Sequence, residues 1–247
     1  MTVAGLRDWT TMFRVHRRGR RAAALVARGQ LAAAAEALTE AVSLAQRQWG
    51  DANPQSIALL SNLVDVRRGL GELAEAGELG ERVVELSGRV LGDDHPVTWY
   101  AVNNLALVLQ ASGDLPRARE LHERELAAAR RLRGTTHPET LTSMDNLAQC
   151  LFRLGEVDAA YELAAEAVRL SREVRGAGDP DTLIAIDNLG VFAGARGDLA
   201  LARQLHEEAA EGLRHALGEE HPHTVTALAN LAESRRSRPE TPPTSSA

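Results

Sequence analysis

The stretch "LGDDHPVTWYAVNNLALVLQASGDLPRARELHERELAAARRL", residues 91–132, decides the fold because its pattern returns along the chain every 42 residues. A proline keeps this interval, at Pro54, Pro96, Pro138, Pro180 and Pro222. An Asn-Leu pair keeps it as well, starting at Asn62, Asn104, Asn146, Asn188 and Asn230. So does a glycine that is followed five residues later by alanine, at Gly29, Gly71, Gly113, Gly155 and Gly197. Several columns in register over five copies identify a repeat protein.

Each unit has the pattern of two helices, an A helix followed by a B helix. The proline suits the first helical position, where its missing N–H would be unpaired anyway. Apolar residues then recur three or four positions apart, as at Val102, Leu105 and Leu109, which is typical of an amphipathic helix. The A helix ends at a glycine such as Gly113, which can adopt the left-handed conformation. The B helix runs from Leu115 to about residue 133, and the sequence therefore predicts an all-α protein.

The unit resembles the 42-residue tetratricopeptide repeats of kinesin light chains and their bacterial relatives. The resemblance rests on HP-x-T, N-L-A and G-D-L-x-x-A and covers about residues 29–232. Two copies depart from it, with Asn53 and Asp179 in place of the histidine, and the last copy stops after its A helix. The resemblance implies a right-handed superhelical solenoid whose A helices line a concave groove.

Three regions are predicted: a basic capping helix over 1–28, a tetratricopeptide repeat solenoid over 29–233 and a disordered tail over 234–247. The tail is rich in Ser, Pro and Thr. The basic stretch "RVHRRGRR", 14–21, is interpreted as a solvated capping helix, with contact to nucleic acid or an acidic membrane surface as the alternative. The acidic body of the chain makes nucleic acid an unlikely partner over most of the surface.

Composition and motifs argue against catalysis and against metal or cofactor binding. A single cysteine rules out an internal disulfide and a Cys-based zinc cluster. The sequence has no phosphate-binding glycine loop, no G-x-S-x-G and no H-E-x-x-H. No apolar run is long enough to span a membrane. We therefore expect a cytoplasmic protein that is not an enzyme, with no cofactor, no metal site and no membrane partner.

A polar residue precedes every proline of the repeat, and we interpret it as a helix cap. The column reads Asn53, His95, His137, Asp179 and His221. Asn and Asp are leading N-cap residues, so a position that exchanges them with histidine behaves as a cap. The alternative, a metal site, needs several histidines to converge, whereas these occur once per repeat. A hydroxyl column two residues after the proline is expected to support the first turn in the same way.

The asparagines of the Asn-Leu pair are the main candidates for ligand contact. Asn62, Asn104, Asn146, Asn188 and Asn230 would form a ladder along the groove, and an amide can pair with a peptide backbone through both donor and acceptor atoms. The resemblance implies that asparagines at this place contact bound peptide. The alternative is that each amide bonds to a neighbouring helix and only orders the array. The remaining candidates are an aromatic, an amide and three acids that favour a basic or neutral partner: Tyr100, Asn103, Asp65, Asp145 and Asp187.

The sequence thus predicts a non-catalytic scaffold that binds a peptide segment or partner protein in the concave groove. The alternative function is a regulatory or sensory module that acts in trans on a nucleotide-binding or transcriptional effector. Self-association through the incomplete C-terminal repeat is a further possibility, because Leu228 and Leu231 lack the cover of a B helix.

Overall fold

A computed structural model describes the backbone of residues 3–236 and the side chains from Met12 to Arg236. The described part of the chain contains α-helices and no strand, which confirms the all-α prediction. The helices are α1 (Val3–Val26), α2 (Leu31–Trp49), α3 (Pro54–Gly69), α4 (Leu73–Leu91), α5 (Pro96–Ser112), α6 (Leu115–Arg133), α7 (Pro138–Arg153), α8 (Val157–Val174), α9 (Pro180–Ala195), α10 (Leu199–Leu217) and α11 (Pro222–Arg236). Their contacts divide the chain into two units, one up to Ala128 and one from Ala129.

The A helices begin where the prolines predict, and the residue before the proline caps them. In the histidine copies, Nδ1 of His95 and of His137 accepts a hydrogen bond at 3.2 Å from the backbone N–H two residues on. Asn53 Oδ1 accepts from the corresponding N–H at 2.9 Å. Asp179 Oδ1 accepts from two N–H groups of the first turn, at 3.1 and 3.2 Å. These bonds satisfy donors that have no partner inside the helix, and the capping interpretation is confirmed.

Two threonines of the hydroxyl column have a different role from the one expected. Thr98 Oγ1 donates a hydrogen bond of 2.8 Å to the carbonyl of Gly92, and Thr140 Oγ1 donates one of 2.8 Å to the carbonyl of Gly134. Both hydroxyls are buried, so each needs an acceptor, and the carbonyl of the preceding loop supplies it. These two side chains therefore tie α5 and α7 back to the loops before them, whereas Thr182 Oγ1 lies 3.5 Å from Oδ1 of the capping residue Asp179.

The A helices end at glycine, as the repeat predicts. Gly113 has φ 92° and ψ 0°, a left-handed conformation that a side chain would strain. The chain reverses there, and the N–H of Asp114 donates to the carbonyl of Leu109 at 2.9 Å. This bond closes the helix end and directs the chain into α6, which spans the predicted limits.

In the first unit, each helix packs on the next along the chain from α1 to α5. Ile57, Val64 and Val83 form the buried centre between α3 and α4. Gly80 allows close approach, because a Cβ at that position would lie 3.0 Å from Leu105 Cδ1. The basic helix α1 takes the place of a first A helix: its Ala22 is buried against α2, and Arg18 Nε donates to Glu40 Oε2 at 2.7 Å.

In the second unit, α7 to α11 again pack consecutively, around large side chains that are fully buried, Leu141, Met144, Leu183 and Ile186. The last helix, α11, continues to Arg236, so residues 234–236 are helical although the tail was predicted to begin at 234. The remaining residues of that predicted tail, 237–247, lie outside the described part of the chain.

We predict that Leu105→Ala lowers the free energy of unfolding by about 2–5 kcal/mol, because it removes a buried side chain and leaves a cavity. Leu105 is 1% exposed and packs against the glycine surface of α4. Urea denaturation followed by circular dichroism measures the change. The control is Glu120→Ala on the exposed side of α6, for which we expect a change of no more than about 0.5 kcal/mol. A small effect of Leu105→Ala would contradict its place in the core.

Candidate functional site

The candidate site lies on the A helices, on a face that we call the A-helix stripe. The stripe consists of three repeat columns, those that contain Ala58, Asn62 and Asp65. Two of them are half-buried or exposed in every copy: Ala58, Tyr100, Thr142, Ile184 and Thr226 in the first, and Asp65, Leu107, Gln149, Val191 and Glu233 in the second. Each unit therefore has, on its own A helices, two partly accessible columns with the asparagine column between them.

The asparagines of this column differ from copy to copy in their burial and in their hydrogen bonds. Asn104 is 3% exposed, and its Nδ2 donates a hydrogen bond of 3.0 Å to the carbonyl of Ser61 on α3. Asn230 Nδ2 donates one of 2.8 Å to Asp187 Oδ2 on α9. In both copies the acceptor is at the same repeat position. It is the residue directly before the asparagine of the preceding A helix, Ser61 before Asn62 and Asp187 before Asn188. The alternative role that the sequence left open, an amide that orders neighbouring helices, is the role observed for these two residues.

This burial corrects the prediction for Asn104. Its amide is enclosed between α3 and α5 and presents almost no surface to a ligand. Asn62 is exposed, and Asn146 and Asn188 are half-buried. Contact with a ligand remains a prediction for these three side chains and for the exposed part of Asn230.

In the first unit, two predicted residues flank the buried Asn104. Tyr100 is 43% exposed one turn earlier on α5, and Asn103 is half-buried directly beside Asn104. The neighbouring Trp99 faces away from the stripe, and its Nε1 donates to the backbone carbonyl of Asp93 at 2.8 Å. Tyr100 is therefore the aromatic side chain that the stripe offers in this unit.

The three acidic candidates carry less negative charge toward solvent than the sequence suggests. Asp65 pairs with Arg68 one turn later, at 2.7 Å. Asp187 is 6% exposed and accepts hydrogen bonds on both carboxylate oxygens. Burial raises the pKa of Asp145 to about 7, against the opposing effect of the Arg175 charge. The predicted preference for a basic partner is thereby weakened, and a nearly neutral stripe remains.

Asp187 has a partner that the sequence pattern did not predict. His206 on α10 is buried, and its Nδ1 lies 2.7 Å from Asp187 Oδ1. The ring fits there because position 190 is glycine: a Cβ at Gly190 would lie 2.7 Å from His206 Cε1. The column that contains Gly190 has Val64, Ala106, Ala148 and Ala232 in the other copies. A glycine in this otherwise filled column was the available signal that a bulky neighbour needs the space.

The described residues hold no group of three or more histidine, cysteine, aspartate or glutamate side chains arranged to bind a metal ion. The adjacent rings of His221 and His223 stack with their centroids 5.5 Å apart, and His221 Nδ1 accepts a cap bond from the N–H of His223. Cys150 is buried in α7. Among the helices in the described range, none is both long and apolar enough to cross a membrane.

Comparisons with known proteins agree with the resemblance found in the sequence. Family models described as tetratricopeptide repeat match residues 56–97, 97–173 and 145–214. The solved structure of nearly identical TPR-like repeats from a putative kinesin light chain of Podospora anserina is 25% identical, with a TM-score of 0.69, over 83% of this chain and 97% of that chain. No curated protein sequence matches the chain.

Two further structures share the fold at lower identity. BtubC (BKLC) from P. vanneervenii is 22% identical, with a TM-score of 0.66, over 90% of this chain and 95% of that chain. A Rap protein complexed with Competence and Sporulation Factor is 12% identical, with a TM-score of 0.74, and the alignment covers 90% of this chain and 62% of the Rap chain.

We predict that Asn104→Ala lowers the free energy of unfolding by about 1–3 kcal/mol, because it removes both a buried hydrogen bond to the carbonyl of Ser61 and the packing of an enclosed side chain. Asn62→Ala is the matched control from the same column. Since Asn62 is exposed, we expect its replacement to change stability by no more than about 0.5 kcal/mol. Chemical denaturation of both variants measures the difference. Equal effects would show that the hydrogen bond from the Asn104 amide to Ser61 contributes nothing to stability.

We predict that Asp145→Asn stabilises the protein at alkaline pH. The pKa of Asp145 rises on folding from an ordinary 3.8 to about 7, so the folded protein binds this proton more tightly than the unfolded chain does. The stability that the protonated carboxyl group provides is fully present below pH 4 and is lost as the pH rises through 7. After allowance for solvent screening at this half-buried site, the variant should be roughly 1–2 kcal/mol more stable than the wild type at pH 8 and nearly equal to it at pH 4.

Urea denaturation at the two pH values measures this effect, with Glu162→Gln on the exposed side of α8 as a control acid-to-amide change. We expect the control to shift stability little and by the same amount at both pH values. A variant Asp145→Asn whose advantage does not grow with pH would contradict the raised pKa.

Proposed function

The chain belongs to the tetratricopeptide repeat family, and we propose that it is a non-catalytic interaction module that binds a peptide segment or a partner protein along the A-helix stripe. Stacked helical repeats of this kind present extended surfaces that suit protein recognition. The observation that carries the proposal is the exposure of the stripe, whose outer columns are open in every copy although the helices beside them are packed.

The chemistry of the stripe fits an extended, nearly neutral segment. Amide side chains such as Asn62 and Asn188 can donate to and accept from a peptide backbone without selecting its side chains. Tyr100 supplies an aromatic surface, and aromatic residues contribute strongly to binding at interfaces. Since Asp65 is paired, Asp187 is enclosed and Asp145 is partly protonated at neutral pH, the stripe has little net charge to attract a strongly basic partner.

A structural relative supports the kind of ligand that we propose. The Rap protein, which shares this fold, was solved in complex with Competence and Sporulation Factor. The regulatory role in trans, the cytoplasmic location and the lack of nucleic acid among the partners stay predictions. Self-association through α11 also stays a prediction, and the 53% exposure of Val225 is compatible with it.

The proposal is tested with a phage-displayed library of random peptides selected on the wild-type protein. Selected peptides are then titrated against a variant with Asn62→Ala and Tyr100→Ala, in which both replaced side chains are exposed. We expect about tenfold weaker binding or worse, since aromatic anchors at an interface commonly contribute more than 1 kcal/mol.

The matched control replaces two exposed residues of α4, Glu78→Ala and Val90→Ala, and should retain wild-type affinity. Failure to select any peptide, or equal losses in the stripe variant and the α4 variant, would count against binding along the stripe.

A further inference from the structure

The second unit contains a cavity of about 260 Å³ between α9, α10 and α11. Val191 and Leu199 form part of its apolar wall, and His206, Asn230 and Glu233 supply polar groups. Val191 and Glu233 belong to the A-helix stripe, so the cavity opens where that stripe runs. Its size suits a single side chain or a small molecule, since drug-sized ligands occupy cavities of roughly 300–1,000 Å³.

His206 presents an unused ring nitrogen at this cavity. The side chain is 4% exposed, and its Nδ1 bonds to Asp187 at 2.7 Å. Its second nitrogen, Nε2, makes no hydrogen bond to any residue in the described part of the chain. Because the histidine is 4% exposed and lines the cavity, a ligand in the cavity can supply the hydrogen-bond partner that the protein does not give this nitrogen.

A second histidine at the same repeat position shows how the site arises. His122 occupies in α6 the position that His206 occupies in α10, and it is completely buried. Its Nε2 lies 3.3 Å from Oε1 of Gln110. The residue of α9 that corresponds to Gln110 is Gly194, which has no side chain and lines the cavity. The glycine thus removes the internal partner of the histidine and provides the space for an external one.

The hydrogen bonds around Asp187 determine what the ligand must offer. The carboxylate accepts from Asn230 Nδ2 on one oxygen and pairs with His206 Nδ1 on the other, so Nδ1 carries the proton. In the neutral ring, Nε2 then has a lone pair and accepts a hydrogen bond. Asp187 and Glu233 bring negative charge to this region, and no arginine lines the cavity. A cationic donor is favoured, and an anion is repelled.

We propose that the cavity binds an alkylammonium group, whose N–H donates to His206 Nε2 and whose methylene groups contact Val191 and Leu199. The chain contains no lysine, so this group comes from another molecule, either a small amine or a lysine side chain of a bound partner. In the second case the inference rests on the proposed function of the A-helix stripe. In the first case it stands independently.

The experiment titrates n-butylammonium chloride into isotope-labelled protein and follows the His206 ring nitrogens and the Gly190 and Gly194 amides by NMR. We expect saturable shifts confined to this cavity, with sodium chloride as the control for ionic strength. Sodium n-butyrate should give no saturable shift. Saturation by butyrate in place of butylammonium would show that His206 presents a proton, and it would overturn the assignment, as would the absence of saturation by either probe.

The decisive variant is Gly194→Gln, which restores the residue that partners the histidine in the earlier copy. A Cβ at this position meets only Ala202 Cβ, at 3.5 Å, which is ordinary van der Waals contact, so the melting temperature should be no lower than that of the wild type. We expect loss of the saturable shifts. Ala195→Gln, on the exposed neighbouring position, should retain them.

Different results would reject the cavity proposal and the proposed peptide binding along the A-helix stripe. Unchanged butylammonium binding in Gly194→Gln would overturn the cavity assignment even if selected peptides bind the stripe. Cavity binding that Gly194→Gln abolishes, in a protein that selects no peptide, would retain the small-amine site and reject the peptide-binding function. Selected peptides that contain lysine distinguish the two sources of the ammonium group. Weaker binding of such peptides to Gly194→Gln than to Ala195→Gln would identify the lysine as the source. Equal binding would exclude the lysine.

Discussion

A hydrogen bond from a side-chain amide of one A helix to the preceding A helix fixes the register on which the open surface depends. Asn104 reaches the backbone of Ser61 in the first unit, and Asn230 reaches Asp187 in the second. The donor is at the same repeat position in both, and the columns one turn before and one turn after it are half-buried or exposed in both units. Tyr100 and Leu107 around Asn104, and Thr226 and Glu233 around Asn230, form the parts of the A-helix stripe next to these two bonds.

The repeat also allows one position to change its chemistry without changing the fold. In the second copy, Gln110 fills the space beside His122 and bonds to its ring. Burial lowers the pKa of His122 to about 4, so this ring is neutral at physiological pH. In the fourth copy, Gly194 and Gly190 remove two side chains around His206, and the ring turns its Nδ1 to a carboxylate. The helices continue through both arrangements, because their ends and caps are set elsewhere in the unit.

The elements that the sequence predicted well are those whose cause is local. A proline preceded by a capping residue begins each A helix, and a left-handed glycine such as Gly113 ends it, because both effects act within one turn of backbone. The candidate site was predicted less well. Asn62 and Asn104 occupy the same repeat position, yet Asn62 is exposed and Asn104 is buried. The difference comes from the A-type helix that precedes each of them, α1 before α3 and α3 before α5. A carboxyl group such as Asp145 has an acidity set by burial, which a single sequence does not show.

The sequence by itself therefore determined the period, the helices, their caps and their ends, and with them the family of the fold. Only the tertiary structure decided which polar residues of the A helices remain available to a ligand. It enclosed Asn104 and Asp187, left Tyr100 open, and brought His206 of the B helix to the acid of the A helix. The physical reason is that caps and turns are satisfied between residues close in sequence, whereas burial and side-chain hydrogen bonds depend on neighbours that only packing brings together.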